Sequence, residues 1–323
     1  MNKKIINIAF MGTPEFAVPA LSKLSEIEKY NIKAIYTQSD KPFGRKQVLT
    51  PPPVKVFAQS KNIPVFQPEK IRKNTEIIDH LKSLDLDFIV VVAYGKILPQ
   101  SILDIPKLGC INIHGSLLEK YRGAAPIQWA IANGETETGI TTMLLDAGMD
   151  TGDTLLKESI KIELNDTTET LSKKLSLLGS DLLIKTLDGL LDNSITPIKQ
   201  DNDKATNAPM INKNDGEIDW SNTSSQIYNK CRAFTPWPSI YTFYNNVTLK
   251  VTGCSLITDI PDRSYKDGQV IEINKSGIVV STGEGNLLLT KVQLSGSKEM
   301  NAVDFARGQR LEEGHIFSNV VYC

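Results

Sequence analysis

The sequence of 323 residues has little of what defines several common classes of protein. Its four cysteines, Cys110, Cys231, Cys254 and Cys323, lack the paired spacing of a zinc site or a disulfide framework. No uninterrupted apolar run reaches the roughly 18 residues that a membrane span needs. The formal net charge of -1 excludes a protein that coats nucleic acid by charge alone. We therefore expect a cytoplasmic protein without a membrane partner, whose contacts with any RNA are local.

The beginning of the chain lacks two further signals. The apolar run at residues 5–11 is short and leads directly into a turn, so we expect no signal peptide. The segment MGTPEF contains only one of the glycines of a dinucleotide-binding fingerprint and does not indicate NAD. Gly12 instead predicts the turn, and Thr13 and Pro14 predict the start of a helix, with Thr13 as its cap.

The first part of the chain alternates apolar strands with helices. Predicted strands cover residues 5–11, 32–36, 87–95, 109–115 and 140–148, and predicted helices include 75–85 and 167–191. This alternation predicts an α/β, Rossmann-like, doubly wound and mostly parallel sheet. In such sheets ligands bind at the carboxyl ends of the strands.

The length and a change of pattern indicate two domains, because single cores rarely exceed roughly 250 to 300 residues. We predict a catalytic domain at 1–192, a polar linker at 193–210 and a second domain at 211–323. From residue 240 onward the chain reads as short alternating strands separated by turns. This pattern favours a small β-barrel of the OB type.

Two short segments contain the residues best suited to chemistry. In INIHG, Asn112 and His114 share one face of a strand, because alternate side chains point the same way. The loop in LLDAGMDTGDTLL supplies Asp146, Asp150 and Asp153 between glycines that permit a tight fold. The residues are also compatible with a structural role, as a partly buried histidine and solvated turn acids. The acids lack the ligand pattern of a calcium loop, and we expect no metal.

Motifs along most of the chain match one family. They are MGTPEFAVPAL, TQSDKPFGRKQ, PPPVKVFA, VVAYGKILP, INIHGSLLEKYRGAAPIQ, DAGMDTGDTL, DGEIDW, RAFTPWP and RGQRLEEG. In these motifs and in their order the chain resembles the methionyl-tRNA formyltransferases. The resemblance implies transfer of the formyl group of 10-formyltetrahydrofolate to the α-amine of methionyl initiator tRNA, in translation initiation.

The resemblance also implies roles for the three candidate residues. Asn112 and a protonated His114 would stabilise the negative charge that develops on the formyl oxygen during attack by the amine. One such donor is worth roughly 2.7 to 4 kcal/mol. Asp150 would orient His114 and help to remove the ammonium proton. Neither a metal nor a covalent intermediate is required.

The folate pocket implied by the resemblance involves two segments. They contribute Ala93, Tyr94, Gly95, Ile97, Leu98, Ser116, Leu117, Leu118 and Glu119. The family usually has proline after the two leucines, and this chain departs from it with Glu119.

The resemblance implies that the basic loop at 39–55 meets the acceptor end of the tRNA through Lys41, Arg45 and Lys46. Composition alone favours an ordinary surface loop. The barrel would contact the acceptor arm, with Lys230, Arg232 and Lys250 as candidates. We expect a monomer.

Three alternative hypotheses for the function remain at this point. The first is a formyltransferase of the same chemistry that acts on an amino sugar nucleotide, and the loop motif TQSDKPFGRKQ followed by PPPVK argues against it. The second is a glycinamide ribonucleotide formyltransferase, which resembles only the first domain. The third is a non-catalytic RNA-binding protein, in which His114 would be dispensable.

Overall fold

The computed structural model describes residues 5–44, 46–257 and 265–318. The chain divides into two compact units. The first comprises Met1–Pro126, Glu137–Lys161 and Ser172–Ala208, and the second comprises Ile127–Thr136, Ile162–Leu171 and Pro209–Cys323. The borders of functional domains given above stay a prediction. No helix in the described part of the chain combines the length and apolar character that a bilayer span requires.

A seven-stranded sheet forms the centre of the first unit. Its strands are β1 (Ile6–Gly12), β2 (Tyr30–Tyr36), β5 (Val65–Phe66), β6 (Phe88–Val92), β7 (Cys110–His114), β8 (Glu137–Leu144) and β9 (Thr154–Lys161), and a separate hairpin contains β3 (Lys41–Phe43) and β4 (Val48–Thr50). The strand order is β5-β2-β1-β6-β7-β8-β9. Pairing is parallel from β5 to β7, and it is antiparallel between β7 and β8 and between β8 and β9. The predicted mostly parallel α/β sheet is confirmed.

Helices connect the parallel strands of the first unit, and further helices occur in the second unit. Those in the described residues are α1 (Val18–Glu26), α2 (Pro53–Ser60), α3 (Thr75–Ser83), α4 (Gln100–Leu103), α5 (Pro126–Ala132), α6 (Thr168–Leu191), α7 (Ser224–Ala233) and α8 (Ala302–Gln309). The prediction that Thr13 caps the first helix is wrong. A short 3₁₀ turn at Glu15–Ala17 precedes α1, and the Thr13 hydroxyl donates instead to the carbonyl of Tyr94 at 3.1 Å.

The two faces of β7 have opposite characters. Ile111 and Ile113 are buried on one face, where α6 packs closely at Gly179. A Cβ at Gly179 would lie only 2.9 Å from Cγ2 of Ile113, so a larger residue would push the helix off the strand. Asn112 and His114 alternate with the isoleucines and therefore face the other side of the sheet.

The segment 193–208, predicted to be part of a linker, belongs to the first unit. Backbone groups of Ile198 and Thr154 exchange two hydrogen bonds of 2.8 Å, and the Ala208 N–H donates to the carbonyl of Arg122 at 2.7 Å. Such bonds use the backbone, whose partners a polar composition does not reveal. This part of the segment is therefore fixed to the sheet domain.

An antiparallel sheet dominates the second unit. It contains β10 (Ile240–Tyr244), β11 (Val247–Ile257), β12 (Val270–Asn274), β13 (Gly277–Ser281), β14 (Asn286–Leu294) and β15 (Met300–Asn301). The order is β10-β11-β14-β13-β12, and β15 pairs with β14. The N–H groups of Phe243 and Val270 donate to the carbonyls of Ser318 and His315, so one segment bonds to both edge strands. This arrangement is consistent with a barrel, and the OB topology stays a prediction.

Arg232, a candidate for RNA contact, is buried in the second unit. Its Nη1 donates to the carbonyls of Asp166 and Glu163 at 3.0 and 3.3 Å, and its Nε and Nη2 donate to Oδ1 of Asn229 at 3.0 and 2.9 Å. The guanidinium is thus bonded within the second unit, which contradicts the prediction that Arg232 contacts RNA.

We expect Arg232→Met to lower the free energy of unfolding by roughly 2 kcal/mol, because the buried carbonyl of Asp166 and the partly buried carbonyl contact of Glu163 lose a charged donor. Urea unfolding followed by tryptophan fluorescence measures the change. Lys250→Met is the control, since the structure gives the Lys250 side chain no hydrogen bond or ion pair with the described residues. Unchanged stability of the Arg232 variant would contradict the structural role.

Candidate active site

The parallel strands deliver polar residues to one edge of the sheet. Each parallel strand ends at a polar residue or is followed by one. In the spatial order β5, β2, β1, β6 and β7, these residues are Gln67, Gln38, Thr13, Tyr94 and His114. The order reverses between β1 and β6, which lie side by side although β2 follows β1 in the chain. Such a switch point opens a crevice outside the carboxyl ends of the strands, where ligands bind in open α/β sheets.

His114 and Asn112 lie in this region and are largely enclosed, with 5% and 8% of their surfaces exposed. Nε2 of His114 lies 2.9 Å from the carbonyl oxygen of Tyr121. Because a carbonyl only accepts, Nε2 carries the proton of this hydrogen bond. Nδ1 lies 3.6 Å from Oδ2 of Asp150. The structure gives no hydrogen bond from the Asn112 side chain to any described residue, so its amide is available to a ligand.

The other two histidines have different surroundings. His80 Nδ1 lies 2.6 Å from the hydroxyl of Tyr36, and His315 packs against the rings of Tyr244 and Phe317 in the second unit. Within the described residues, only His114 lies within ion-pair distance of a carboxylate.

Asp150 reaches His114 by a route that the sequence did not indicate. Since β8 is antiparallel, Thr141 pairs with His114 but Leu144, at the end of β8, pairs with Ile111. The loop 145–153 therefore begins roughly 10 Å behind His114, at about 3.4 Å per residue, and folds back. Gly152 permits the fold, because a Cβ there would lie 1.9 Å from the carbonyl oxygen of Leu144.

Residues distant in the sequence hold Asp150 in place. The Gly123 N–H donates to Oδ2 of Asp150 at 2.8 Å. Nε2 of Gln200 donates to the carbonyls of Asp150 and Gly152 at 2.8 and 2.7 Å. Arg122 in turn donates from Nε and Nη2 to Oε1 of Gln200 at 3.0 and 2.8 Å. Sequence reasoning missed Gln200, because it lies in a polar segment without periodicity.

The neighbouring acid Asp146 has the turn role that composition allowed. Its Oδ1 accepts from the Gly148 N–H at 3.0 Å, and its carboxylate accepts from the Thr151 hydroxyl at 2.8 and 2.9 Å. Over residues 5–44, 46–257 and 265–318, no group of three histidine, cysteine or acidic side chains could hold a metal ion.

The first predicted folate segment follows β6 as a loop. Ala93 and Gly95 have φ angles of 47° and 76°, in the left-handed region. The left-handed φ of Gly95 disfavours any side chain there, and a Cβ would also lie 2.4 Å from Nε2 of Gln38 and displace that amide. Tyr94 and Leu98 are buried, whereas Ile97 is half exposed. Residues 93–95, predicted to extend the strand, instead turn away from it.

The second predicted folate segment is fixed by Thr141 of β8. The Thr141 hydroxyl donates to the carbonyl of Ser116 at 2.7 Å and accepts from the Leu118 N–H at 3.0 Å. The Ser116 hydroxyl donates to the carbonyl of Lys120 at 2.6 Å. Leu117 is partly buried. Both segments therefore have backbones with defined partners.

Glu119 is bound to the segment that follows α6. Its Oε1 accepts from the Asp201 N–H at 3.0 Å, and the Thr206 N–H donates to its carbonyl at 3.2 Å. The hydrogen bond from Asp201 lowers the pKa of the Glu119 carboxyl below its ordinary value of 4.5. Glu119 thus ties its loop to the same segment that contains Gln200.

The described part of the basic loop forms the hairpin β3–β4. Its base is anchored by Lys55, whose Nζ donates to both carboxylate oxygens of Asp40 and to Oε1 of Gln67, each at 2.8 Å. The Lys55 hydrogen bond is the main cause that lowers the pKa of Asp40. Lys41 donates to Gln38, Lys46 is exposed at the turn, and Arg45 lies outside the described residues.

Family models match both parts of the chain. Residues 3–187 match the model described as formyl transferase, and residues 210–310 match that described as formyl transferase, C-terminal domain. The sheet, its edge site and these matches define a formyl-transferring enzyme.

Near full-length relatives make the assignment more specific. The methionyl-tRNA formyltransferase of Caldicellulosiruptor saccharolyticus is 49% identical over 97% of this chain and 100% of its own length. That of Clostridium tetani is 46% identical over 97% and 99%. The chain belongs to the methionyl-tRNA formyltransferase family.

Solved structures share the fold at lower identity. A sugar 3-N-formyltransferase, solved with dTDP and 5-N-formyl-THF, has a TM-score of 0.65 at 21% identity and covers 91% of this chain and 99% of its own. The N-formyltransferase of Helicobacter canadensis, solved with folinic acid and dTDP-3-aminofucose, has a TM-score of 0.64 at 20% identity over 88% and 99%.

We expect the contribution of Glu119 to stability to depend on pH. Because the folded carboxyl has the lower pKa, the contribution is fully present above the ordinary value of 4.5 and is lost as the pH falls through the folded value. At pH 7, Glu119→Ala should lower the free energy of unfolding by about 1 kcal/mol. Urea unfolding at pH 7 and at pH values below 4.5 measures the difference, which would be equal at both if the carboxylate played no part.

Proposed function

We propose that the enzyme transfers the formyl group of 10-formyltetrahydrofolate to the α-amino group of methionyl initiator tRNA. The observation that carries this proposal is similarity of 45–49% identity over almost the whole chain to proteins named methionyl-tRNA formyltransferase. A role in translation initiation implies a cytoplasmic location. That the enzyme acts as a monomer remains a prediction, which light scattering of the purified protein tests.

Asn112 is the proposed donor to the developing oxyanion. When the amine attacks the formyl carbon, negative charge moves onto the formyl oxygen. The Asn112 amide is enclosed, has no hydrogen bond to the described residues, and shares a strand face with His114. A fixed amide N–H in such a site stabilises the tetrahedral intermediate without the reorganisation that water requires.

His114 and Asp150 are proposed to assist at the same carbonyl. Both ring nitrogens of His114 face protein acceptors, Tyr121 through Nε2 and Asp150 through Nδ1. We propose that Nε2–H also donates to the formyl oxygen in a bifurcated hydrogen bond, because a carbonyl tolerates partial loss of its donor. The Asp150 carboxylate, oriented by Gly123, accepts the proton from the ammonium group directly or through water. The proton then passes to N10 of the folate as the bond between the formyl carbon and N10 breaks, and tetrahydrofolate leaves.

The two substrates are proposed to approach from adjacent sides of this centre. The pterin would bind along the backbone of Ala93, Tyr94, Gly95, Ile97 and Leu98 and beside residues 116–119. The tRNA acceptor end would contact Lys41, Arg45 and Lys46 on the hairpin side. The structure supports this by connecting the hairpin and the loop 93–98 to one sheet edge, while the role of Arg45 rests on the resemblance of its motif.

A direct assay tests the substrate assignment. The purified enzyme is incubated with 10-formyltetrahydrofolate and either methionyl initiator tRNA or a dTDP-linked amino sugar. We expect N-formylmethionyl-tRNA and no formylated sugar. Formylation of the sugar alone would overturn the proposal and favour the rival function.

Substitution of the three central residues tests the mechanism. We expect Asn112→Ala to reduce kcat by about 10²- to 10³-fold, the effect of one lost oxyanion donor. His114→Ala and Asp150→Ala should reduce it by roughly 10²- to 10⁴-fold through loss of proton transfer.

His80→Ala is the matched control for these variants, because it removes a histidine of the same unit whose partner is the Tyr36 hydroxyl. Circular dichroism checks that each variant is folded. Retained turnover in His114→Ala would favour a non-catalytic role for this residue.

A further inference from the structure

Gln38 lies between the two proposed substrate regions and bonds to both. It follows β2 at the carboxyl edge of the sheet. Its Nε2 donates to the carbonyls of Tyr94 and Gly95 at 3.0 and 3.4 Å, while its Oε1 accepts from Nζ of Lys41 at 3.0 Å. One amide group thus contacts the loop 93–98 on one side and the hairpin β3–β4 on the other.

The orientation of this amide is fixed by its partners. Carbonyl oxygens only accept hydrogen bonds and an ammonium group only donates them, so the reversed amide would lose its contacts on both sides. The Gln38 backbone is also held, because its N–H donates to the Thr13 hydroxyl at 3.4 Å and its carbonyl accepts from Nε2 of Gln67 at 2.7 Å. The side chain therefore has little freedom to serve one partner without the other.

We propose that Gln38 is a positioning residue that couples folate binding at the loop 93–98 to tRNA binding at the hairpin β3–β4. This inference rests on the proposed function. A folate on the loop holds the carbonyls of Tyr94 and Gly95 in place, and these carbonyls hold the Gln38 amide. The amide then presents its Oε1 to Lys41, so part of the ordering of the hairpin is complete before the tRNA arrives. By reciprocity, tRNA on the hairpin strengthens folate binding.

Gly95 and Asp40 support this arrangement at its two ends. Gly95 lies so close to Gln38 that a Cβ would be 2.4 Å from Nε2, which makes the loop sensitive to the position of the amide. Asp40, two residues beyond Gln38, accepts hydrogen bonds from Lys55 and from Nε2 of Gln67 at 2.7 Å. The base of the hairpin is therefore fixed, and a shift of Gln38 is transmitted to Lys41 rather than absorbed by the chain between them.

The test compares the dissociation constant of folinic acid with and without saturating uncharged initiator tRNA. We expect the unchanged enzyme to bind folinic acid at least about five-fold more tightly with the tRNA present, the lower range of typical coupling. Gln38→Met keeps the length of the side chain but removes its hydrogen bonds, and should bind equally with and without tRNA. A five-fold effect retained in this variant, or absent from the unchanged enzyme, would overturn the proposal.

Two further variants separate coupling from damage to the fold. Lys41→Met leaves the bonds of Gln38 to the loop intact and should also abolish the effect of tRNA, so it decides the matter if Gln38→Met fails to fold or to bind folinic acid. Retention of the effect in Lys41→Met would contradict the proposal.

Gln47→Asn is the matched control. It shortens a hairpin glutamine whose side chain, among the described residues, bonds only to the carbonyl of Gly44, and asparagine tolerates the left-handed backbone at this position. The effect of tRNA should persist in this variant, and its loss would show that any change in the hairpin suffices. Formylation of methionyl-tRNA by the unchanged enzyme tests the proposed function separately, so a formylating enzyme without coupling would refute this inference alone.

Discussion

The parallel pairing of β6 with β7 is the constraint on which the site depends. Val91 lies beside Asn112 in this pairing, and all five residues of each strand are buried. Because parallel strands end at the same edge, the loop that leaves β6 and the histidine that ends β7 become neighbours. Burial of both faces fixes the register, since a shift of one residue would exchange Asn112 and His114 with core isoleucines.

Beyond the strand ends, side chains complete what the sheet leaves unpaired. The carbonyl of Tyr94 accepts from Thr13 and Gln38, and the carboxylate of Asp150 accepts from Gly123. Enclosed polar groups need such partners, because a buried polar group without a hydrogen bond destabilises the folded state. The same bonds that satisfy the edge also determine where each reactive group points. Stability and chemistry therefore depend on a shared set of hydrogen bonds.

The sequence predicted those features that local periodicity records. Continuous apolar runs revealed β1, β6 and β7, and a period of two placed Asn112 and His114 on one face. The exposed β4, with three residues open to solvent, has no apolar pattern to detect. The helix α7 was also missed, although its capping box of Thr223 and Gln226 was a readable signal.

The contacts that hold Asp150 could not be predicted from local patterns, because they join residues that are far apart in the chain. Gln200 lies 50 residues beyond the aspartate that it holds, and Gly123 lies 27 residues before it. No local pattern encodes such pairs. The folded-back path of the loop 145–153 was equally hidden, since it follows from the reversed direction of β8.

The position of Gln200 after α6 has a consequence for protein engineering. A shortened polypeptide that ends with the last helix of the sheet domain, at Leu191, would look complete by its secondary structure. It would nevertheless lack the Gln200 side chain, which donates a hydrogen bond to the loop of Asp150. It would also lack the backbone of Ile198 and Ala208, which bonds to Thr154 and Arg122. A fragment that keeps these contacts has to extend at least through Ala208.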